Sequence, residues 1–126
     1  MRDRNRTELG RSGERAALDY LHKKGLVLVE SNFRTRRGEA DLILRDGDTL
    51  VFCEVKTKRS TATGHAAESY TPKQQHRLRG LILRYLQKTG WEGPLRIDLL
   101  ALQKEAGGPH YSVHHFQDAL SLEDNW

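Results

Sequence analysis

Asp41, Glu54 and Lys56 interrupt two runs that otherwise suit buried strands, Gly38-Glu39-Ala40-Asp41-Leu42-Ile43 and Leu50-Val51-Phe52-Cys53-Glu54-Val55-Lys56. A buried charge is costly unless a partner or a metal compensates it. Two facing carboxylates suit a hard divalent cation such as Mg2+, which prefers oxygen ligands. Side chains alternate along a strand, so a lysine two residues past Glu54 shares its face. Between the runs, Asp46-Gly47-Asp48 is a hairpin turn signal. With Asp46-Gly47 as the loop, Asp41 lies opposite Phe52 and diagonal to Glu54; with Gly47-Asp48 as the loop, it lies directly opposite Glu54. Both registers put the three charges on one face, whereas a three-residue loop without a compensating bulge would turn Asp41 away.

The elements that must position these residues follow from periodicity. Residues 1–9 read as a loose basic arm and 10–126 as a single domain. Ser12–Lys24 has helical spacing, with Ala17, Leu18 and Leu21 on one face and Gly25 as the stop. Leu26–Val29 reads as a first strand ending near Ser31-Asn32, and residues 34–38 as a basic loop. Residues 57–70 form a polar loop with no clear period. Thr71 is an N-cap, Pro72 the first helical residue, and Gln74 completes a capping box. Leu78, Leu81, Ile82, Tyr85 and Leu86 make this helix's buried stripe, and Gly90 ends it. Leu95–Leu102 is a strand carrying Asp98, and Tyr111–Phe116 a further short strand or extended segment. The order α-β-β-β-α-β predicts a mixed-sheet α/β sandwich.

The chain has 126 residues, a net charge of +4 and 30% charged residues, which favours a solvated protein with an anionic partner. Its single cysteine excludes an internal disulfide and agrees with a reducing compartment. The charged N-terminus is no signal peptide and no apolar run nears membrane-spanning length. A cytoplasmic location without a membrane partner is expected.

With order and charges in place, the chain resembles the PD-(D/E)XK nuclease superfamily. More specifically it is similar to the YraN-like family of small bacterial proteins, predicted endonucleases related in fold to Holliday-junction resolvases. The residues that carry the resemblance begin with Gly13-Glu14 and Ala16-Ala17, then Asn32-Phe33-Arg34 and the two charged runs above. Thr57-Lys58, Thr71-Pro72-Lys73-Gln74 and Arg96-Ile97-Asp98 continue it, so it spans roughly residues 10–102. Ala40 stands where the superfamily's name has proline, and Cys53 where the family usually has valine. The resemblance implies a restriction-endonuclease-like three-layer α/β/α sandwich with an αβββαβ core and a central mixed sheet.

It also implies that Asp41 and Glu54 bind Mg2+ or Mn2+, with the backbone carbonyl of Val55 as a further ligand. Lys56 would position the attacking water or stabilise charge on the phosphate. The alternative for Lys56 is a plain salt bridge to the carboxylates. Glu14 sits at helical spacing with Ala17, Leu18 and Leu21, where a charge needs a partner. The resemblance makes it an added metal-site carboxylate; otherwise it pairs with an arginine or caps the first turn. Glu39 shares parity with Asp41 and either stands near the metal or pairs with Arg36 or Arg37. Asp98 reads as a structural pairing.

Arg34, Arg36 and Arg37 precede the site and Lys58 and Arg59 follow it, while Lys73, Gln74 and Arg77 lie at the start of the second helix. Together they form an expected nucleic-acid-binding rim, each residue alone being equally well explained as solvated charge. The six histidines show no supported zinc spacing and read as surface or packing residues. The function expected is metal-dependent cleavage of DNA, selective for branched structure because so short a chain has no spare domain to read base edges. A homodimer would place two sites on two strands. The alternative is a non-catalytic nucleic-acid-binding scaffold that keeps the fold; a small-molecule metallohydrolase suits the basic loops less well.

Overall fold

The structure is a computed structural model that describes residues 4–36, 38–58, 71–104 and 110–122, with the backbone alone for residues 4–11 and Lys58. The chain runs α1 (Arg4–Lys23), β1 (Val27–Thr35), β2 (Gly38–Asp46), β3 (Thr49–Lys58), α2 (Pro72–Thr89), β4 (Leu95–Lys104) and β5 (Tyr111–Leu120). The strands lie in one sheet in sequence order. Neighbours are antiparallel except β3 and β4, which are parallel. That parallel step requires a crossover, and α2 supplies it.

Among the described residues each face of the sheet carries one helix. On the α1 side Ala17 and Leu21 pack with Leu42, Leu44, Val51 and Leu100. On the α2 side Leu78, Ile82 and Tyr85 pack with Ile43, Phe52 and Ile97. Opposite parities of β2 and β3 thus feed opposite layers, as expected for a central sheet covered on both faces. The result is a mixed α/β sandwich compatible with a restriction-endonuclease-like fold.

The second helix matches its sequence signals. Thr71 Oγ1 accepts from Gln74 N–H at 3.2 Å while Thr71 N–H donates to Gln74 Oε1 at 2.8 Å. Gly90, at φ 72°, closes the helix by donating its N–H to Leu86 O. Leu78, Leu81, Ile82 and Tyr85 are buried.

Several boundaries differ from the periodicity, β4 among them, which runs on to Lys104. α1 begins at Arg4, so residues 4–9, expected as a loose arm, are helical. Arginine, glutamate and leucine there are good helix formers, and Gly10 and Gly13 do not stop the helix. β1 continues to Thr35, taking in Arg34, which was expected in a loop. Among the described residues it is an edge strand paired only with β2, so its outer positions tolerate the polar run that reads as an end. β5 continues to Leu120. Of the expected loop over 57–70, Thr57 and Lys58 extend β3 and residues 59–70 lie outside the described residues.

Candidate functional site

The β2–β3 ladder runs from Asp46 and Thr49 at the turn as far as Leu42 and Cys53. Gly47-Asp48 is therefore the loop, and Asp41 lies level with Glu54, one step past the last pair. There carboxylates replace the backbone ladder. Asp41 N–H donates to Glu54 Oε2 at 3.0 Å, and Val55 N–H donates to Asp41 Oδ2 at 2.8 Å. Each acid crosses to the other strand and satisfies an N–H that the diverging backbone leaves unpaired. The two strands fork at this point.

The side-chain alternation breaks at the same place. Ala40 joins the α2-side cluster with Ile43, while Leu42 belongs to the α1 side. On β1, Asn32 stands between the pairs Ser31–Leu42 and Phe33–Ala40, across from Asp41, with φ 56°. Asparagine tolerates this left-handed conformation better than most residues. Its Nδ2 donates to Glu14 Oε1 at 3.1 Å. α1 is brought this close because Gly13 has no Cβ; one placed there would meet Thr57 Oγ1 at 2.5 Å.

Beyond the fork lies a cleft of about 210 Å³ between β2, β3 and α2. The strands contribute Glu39, Asp41, Glu54 and Lys56, and Val55 reaches it from the fork; its side chain packs on the α1-side cluster. The helix contributes Gln74 and Arg77 over an apolar floor of Leu78 and Leu81. Arg77 lies across Gly38, where a Cβ would come within 2.7 Å of Arg77 Cδ and φ is 144°. That position is open to glycine and few other residues.

Burial pushes the Asp41 carboxyl up from its ordinary 3.8 to about 6. The Val55 N–H and the Lys56 charge oppose this rise, and the negative charges of Glu39 and Glu14 add to it. Glu14 is thus within electrostatic reach of Asp41 but does not line the cleft. Its partner is Asn32, which neither alternative for it had included.

The remaining expected residues divide. Glu39 lines the cleft and accepts from Arg34 Nε at 2.7 Å, a partner outside the Arg36 and Arg37 pairing that its sequence context suggested. The Arg34 side chain is 72% exposed, so this ion pair adds little to stability. Gln74 lines the cleft while serving the helix cap. Lys73 and Arg36 are exposed and outside the cleft. Arg37 and Arg59, and the side chain of Lys58, lie outside the described residues.

Among the described residues no group of three or more His, Cys, Asp or Glu side chains is assembled so that it could hold a metal ion. The donors nonetheless fit a hard cation. Two carboxylates meet at the fork, two more act on it electrostatically, and Asp41 is driven toward neutrality where a cation would relieve the crowding.

Asp98 is structural, as its sequence context suggested, though its partners were not foreseen. Its buried carboxylate accepts from Arg96 Nε at 2.9 Å and Arg96 Nη2 at 3.1 Å. His115 Nε2 lies 2.8 Å from Oδ2, and Asp118 N–H donates to Oδ1 at 2.9 Å. Arg96 also reaches Asp46 at 3.0 Å. Arg96 and Asp98 share a strand face at i, i+2, but only the tertiary structure brings Asp46, His115 and Asp118 to them.

No helix among the described residues is long and apolar enough to cross a membrane. The family described as "Uncharacterised protein family UPF0102" matches residues 13–102. A UPF0102 protein of Herpetosiphon aurantiacus is 45% identical over 124 residues, covering 94% of this chain and 98% of the relative. One from Pelotomaculum thermopropionicum is 41% identical over 113 residues, covering 89% and 94%. One from Geotalea uraniireducens is 39% identical over 127 residues, covering 97% and 98%. The matched span contains Glu14, Asn32, the fork, the cleft and Asp98. The YraN-like resemblance and the similarity of whole chains thus agree: the chain belongs to the UPF0102 family.

Proposed function

We propose that this protein is a metal-dependent phosphodiesterase of the PD-(D/E)XK type that cleaves DNA, with selectivity for branched structure. The observation that carries the reading is the fork, where Asp41 and Glu54 cross between strands and, with Lys56, line a cleft. A plain hairpin would have closed its ladder and left no reason for a buried Glu54 beside a half-buried Asp41.

Asp41 and Glu54, with the Val55 carbonyl, would hold Mg2+ or Mn2+, Glu14 adding negative charge from behind and Glu39 from the cleft wall. The metal, when bound, supplies polarisation of the scissile phosphate and a lowered pKa for an attacking water. Lys56, on the same wall, holds that water or balances charge gathering on the phosphate oxygens. Arg77 lies over the mouth, where a guanidinium can grip a phosphate with two N–H groups. A cleft of about 210 Å³ admits a phosphate group but is smaller than the pockets that enclose whole small-molecule substrates. The net charge of +4 also favours a polyanion. Lys73, Arg36 and the basic residues around the hairpin would contact flanking phosphates, and a homodimer would address two strands.

The test is cleavage of branched, flapped, nicked and linear DNA, and matching RNA, with Mg2+, Mn2+ or EDTA. Wild-type protein is expected to cut branched DNA only with metal. Asp41→Ala, Glu54→Ala and Lys56→Ala should each lose about 100-fold or more in rate. Unchanged cleavage in all three variants would sink the site. Tight binding with no cleavage under any condition would replace the proposal with the non-catalytic scaffold.

A further inference from the structure

Phe116 is a large apolar side chain left 44% exposed near the middle of β5. Its position follows from register. Glu54 pairs with Leu99 on β4, and Leu99 pairs with Phe116 on β5. Paired residues share a face, so Phe116 stands on the α2 side of the sheet, two strands from Glu54. At the usual strand spacing that is about 10 Å. The next row repeats the arrangement: Lys56 pairs with Ala101, and Ala101 with His114, which is exposed. An aromatic and an imidazole therefore continue, in the same plane, the wall that carries the fork and the lysine.

Phe116 is also held firmly. The β4–β5 register shifts between Ile97 and Leu99, so β5 bulges just after Phe116, with Asp118 at φ 51°. Asp98 ties down both flanks, His115 before Phe116 and the Asp118 N–H after it. On the opposite face the His115 ring meets Tyr20 of α1 edge to face at 5.8 Å. Bulges commonly re-aim a side chain beside a functional site. A buried ionic network with no part in the proposed chemistry thus fixes the strand on either side of one exposed aromatic ring.

We propose that Phe116 is a stacking platform for an unpaired base of the nucleic-acid strand whose phosphate lies in the Asp41–Glu54–Lys56 cleft. The proposal rests on the phosphodiesterase reading and narrows its substrate class to nucleic acid with a single-stranded segment next to the cut. A base in a duplex has its faces covered by its neighbours, whereas an unpaired base offers a π-face to any aromatic ring. A phenylalanine without charge or hydrogen-bonding groups discriminates between these states without reading sequence. His114 would lie beside the backbone of the same strand.

The test measures binding in EDTA, so that cleavage plays no part. Fluorescent oligonucleotides are titrated as a single strand, a flap and a blunt duplex, with Phe116→Ala, Phe116→Leu and Phe116→Trp beside wild type. Phe116→Ala is expected to weaken single-strand and flap binding about 5- to 150-fold and to leave duplex binding nearly unchanged. Phe116→Leu should lose most of the same affinity, which separates stacking from apolar burial. Phe116→Trp should retain it, with its fluorescence quenched on binding. Unchanged flap binding by Phe116→Ala would overturn the platform while leaving the nuclease reading intact. Equal losses on flap and duplex would overturn it too, as would a loss that tracks conversion of a dimer to monomer in light scattering, which would make the face a contact between copies. If the wild type binds no nucleic acid at all, the phosphodiesterase reading fails first.

Discussion

Asp41 is pulled two ways: its Oδ2 accepts the Val55 N–H, which favours the charge, yet burial beside other acids holds its pKa near 6. The sign of the consequence is unusual for an aspartate. Between its ordinary 3.8 and about 6 the folded protein binds a proton that the unfolded chain has released. Stability therefore falls as pH rises through that window, by on the order of 2–3 kcal/mol. Asp41→Asn keeps an acceptor for the Val55 N–H and removes the charge. In EDTA at pH 8 this variant should melt above wild type, and near pH 4 the gain should vanish. Equal melting at both pH values would show that Asp41 stores no such strain. Divalent-metal binding should weaken as pH drops below about 6, because protons compete for the same oxygens. Asp41, Glu54 and Lys56 were legible because charges inside strand runs demand an explanation. The Glu14–Asn32 bond was not, since it joins residues of two separate elements.

At the scale of elements, α2 follows its local chemistry, with Thr71, Pro72, Gln74 and Gly90 doing in the fold what each does in any helix. The position of α1 depends on tertiary contact. Gly13 lies in a helix, where alanine is ordinarily about 1 kcal/mol better. Here a Cβ would press on Thr57 Oγ1 at 2.5 Å, so Gly13→Ala should instead destabilise by about 1–3 kcal/mol. Thr57→Ala in the same chain should recover part of that loss, as a urea-denaturation double-mutant cycle would read. A Gly13→Ala protein more stable than wild type would mean that the close approach does not set the helix position. β1 shows the opposite failure of local reasoning. Val27, Leu28 and Val29 are 62%, 43% and 47% exposed, while the strand's one fully buried residue, Phe33, follows the polar run that looked like its end. An edge strand need not alternate as a central one does.

Across the whole molecule, β5 is attached by its ladder to β4 and by the ionic cluster centred on Asp98. With the Asp98 side chain 0% exposed and Arg96 18%, removing the carboxylate leaves Arg96 with Asp46 alone and takes the acceptor from His115 and the Asp118 N–H. Asp98→Ala is expected to cost about 3–5 kcal/mol. Hydrogen exchange should then show β5 amides losing protection before those of β2 and β3. Uniform loss across the sheet would mean that the cluster secures the whole core rather than this strand. Asp98→Asn, which keeps part of the hydrogen bonding, should lie between the two.

The element order, the capped second helix, the mixed α/β class and a shared face for Asp41, Glu54 and Lys56 follow from the amino-acid sequence alone. Each of these rests on short-range rules: cap chemistry, periodicity, and a turn that allows only a few registers. Tertiary structure alone decided which register holds, because the Gly47-Asp48 turn is chosen together with the packing of both sheet faces. It also decided that the two acids cross the fork, that Arg34 takes Glu39, and that Asp98, Arg96, His115 and Asp118 form one cluster beneath an exposed Phe116. Most of those contacts join different elements, and a sheet's register and a helix's approach distance are set by what packs on them.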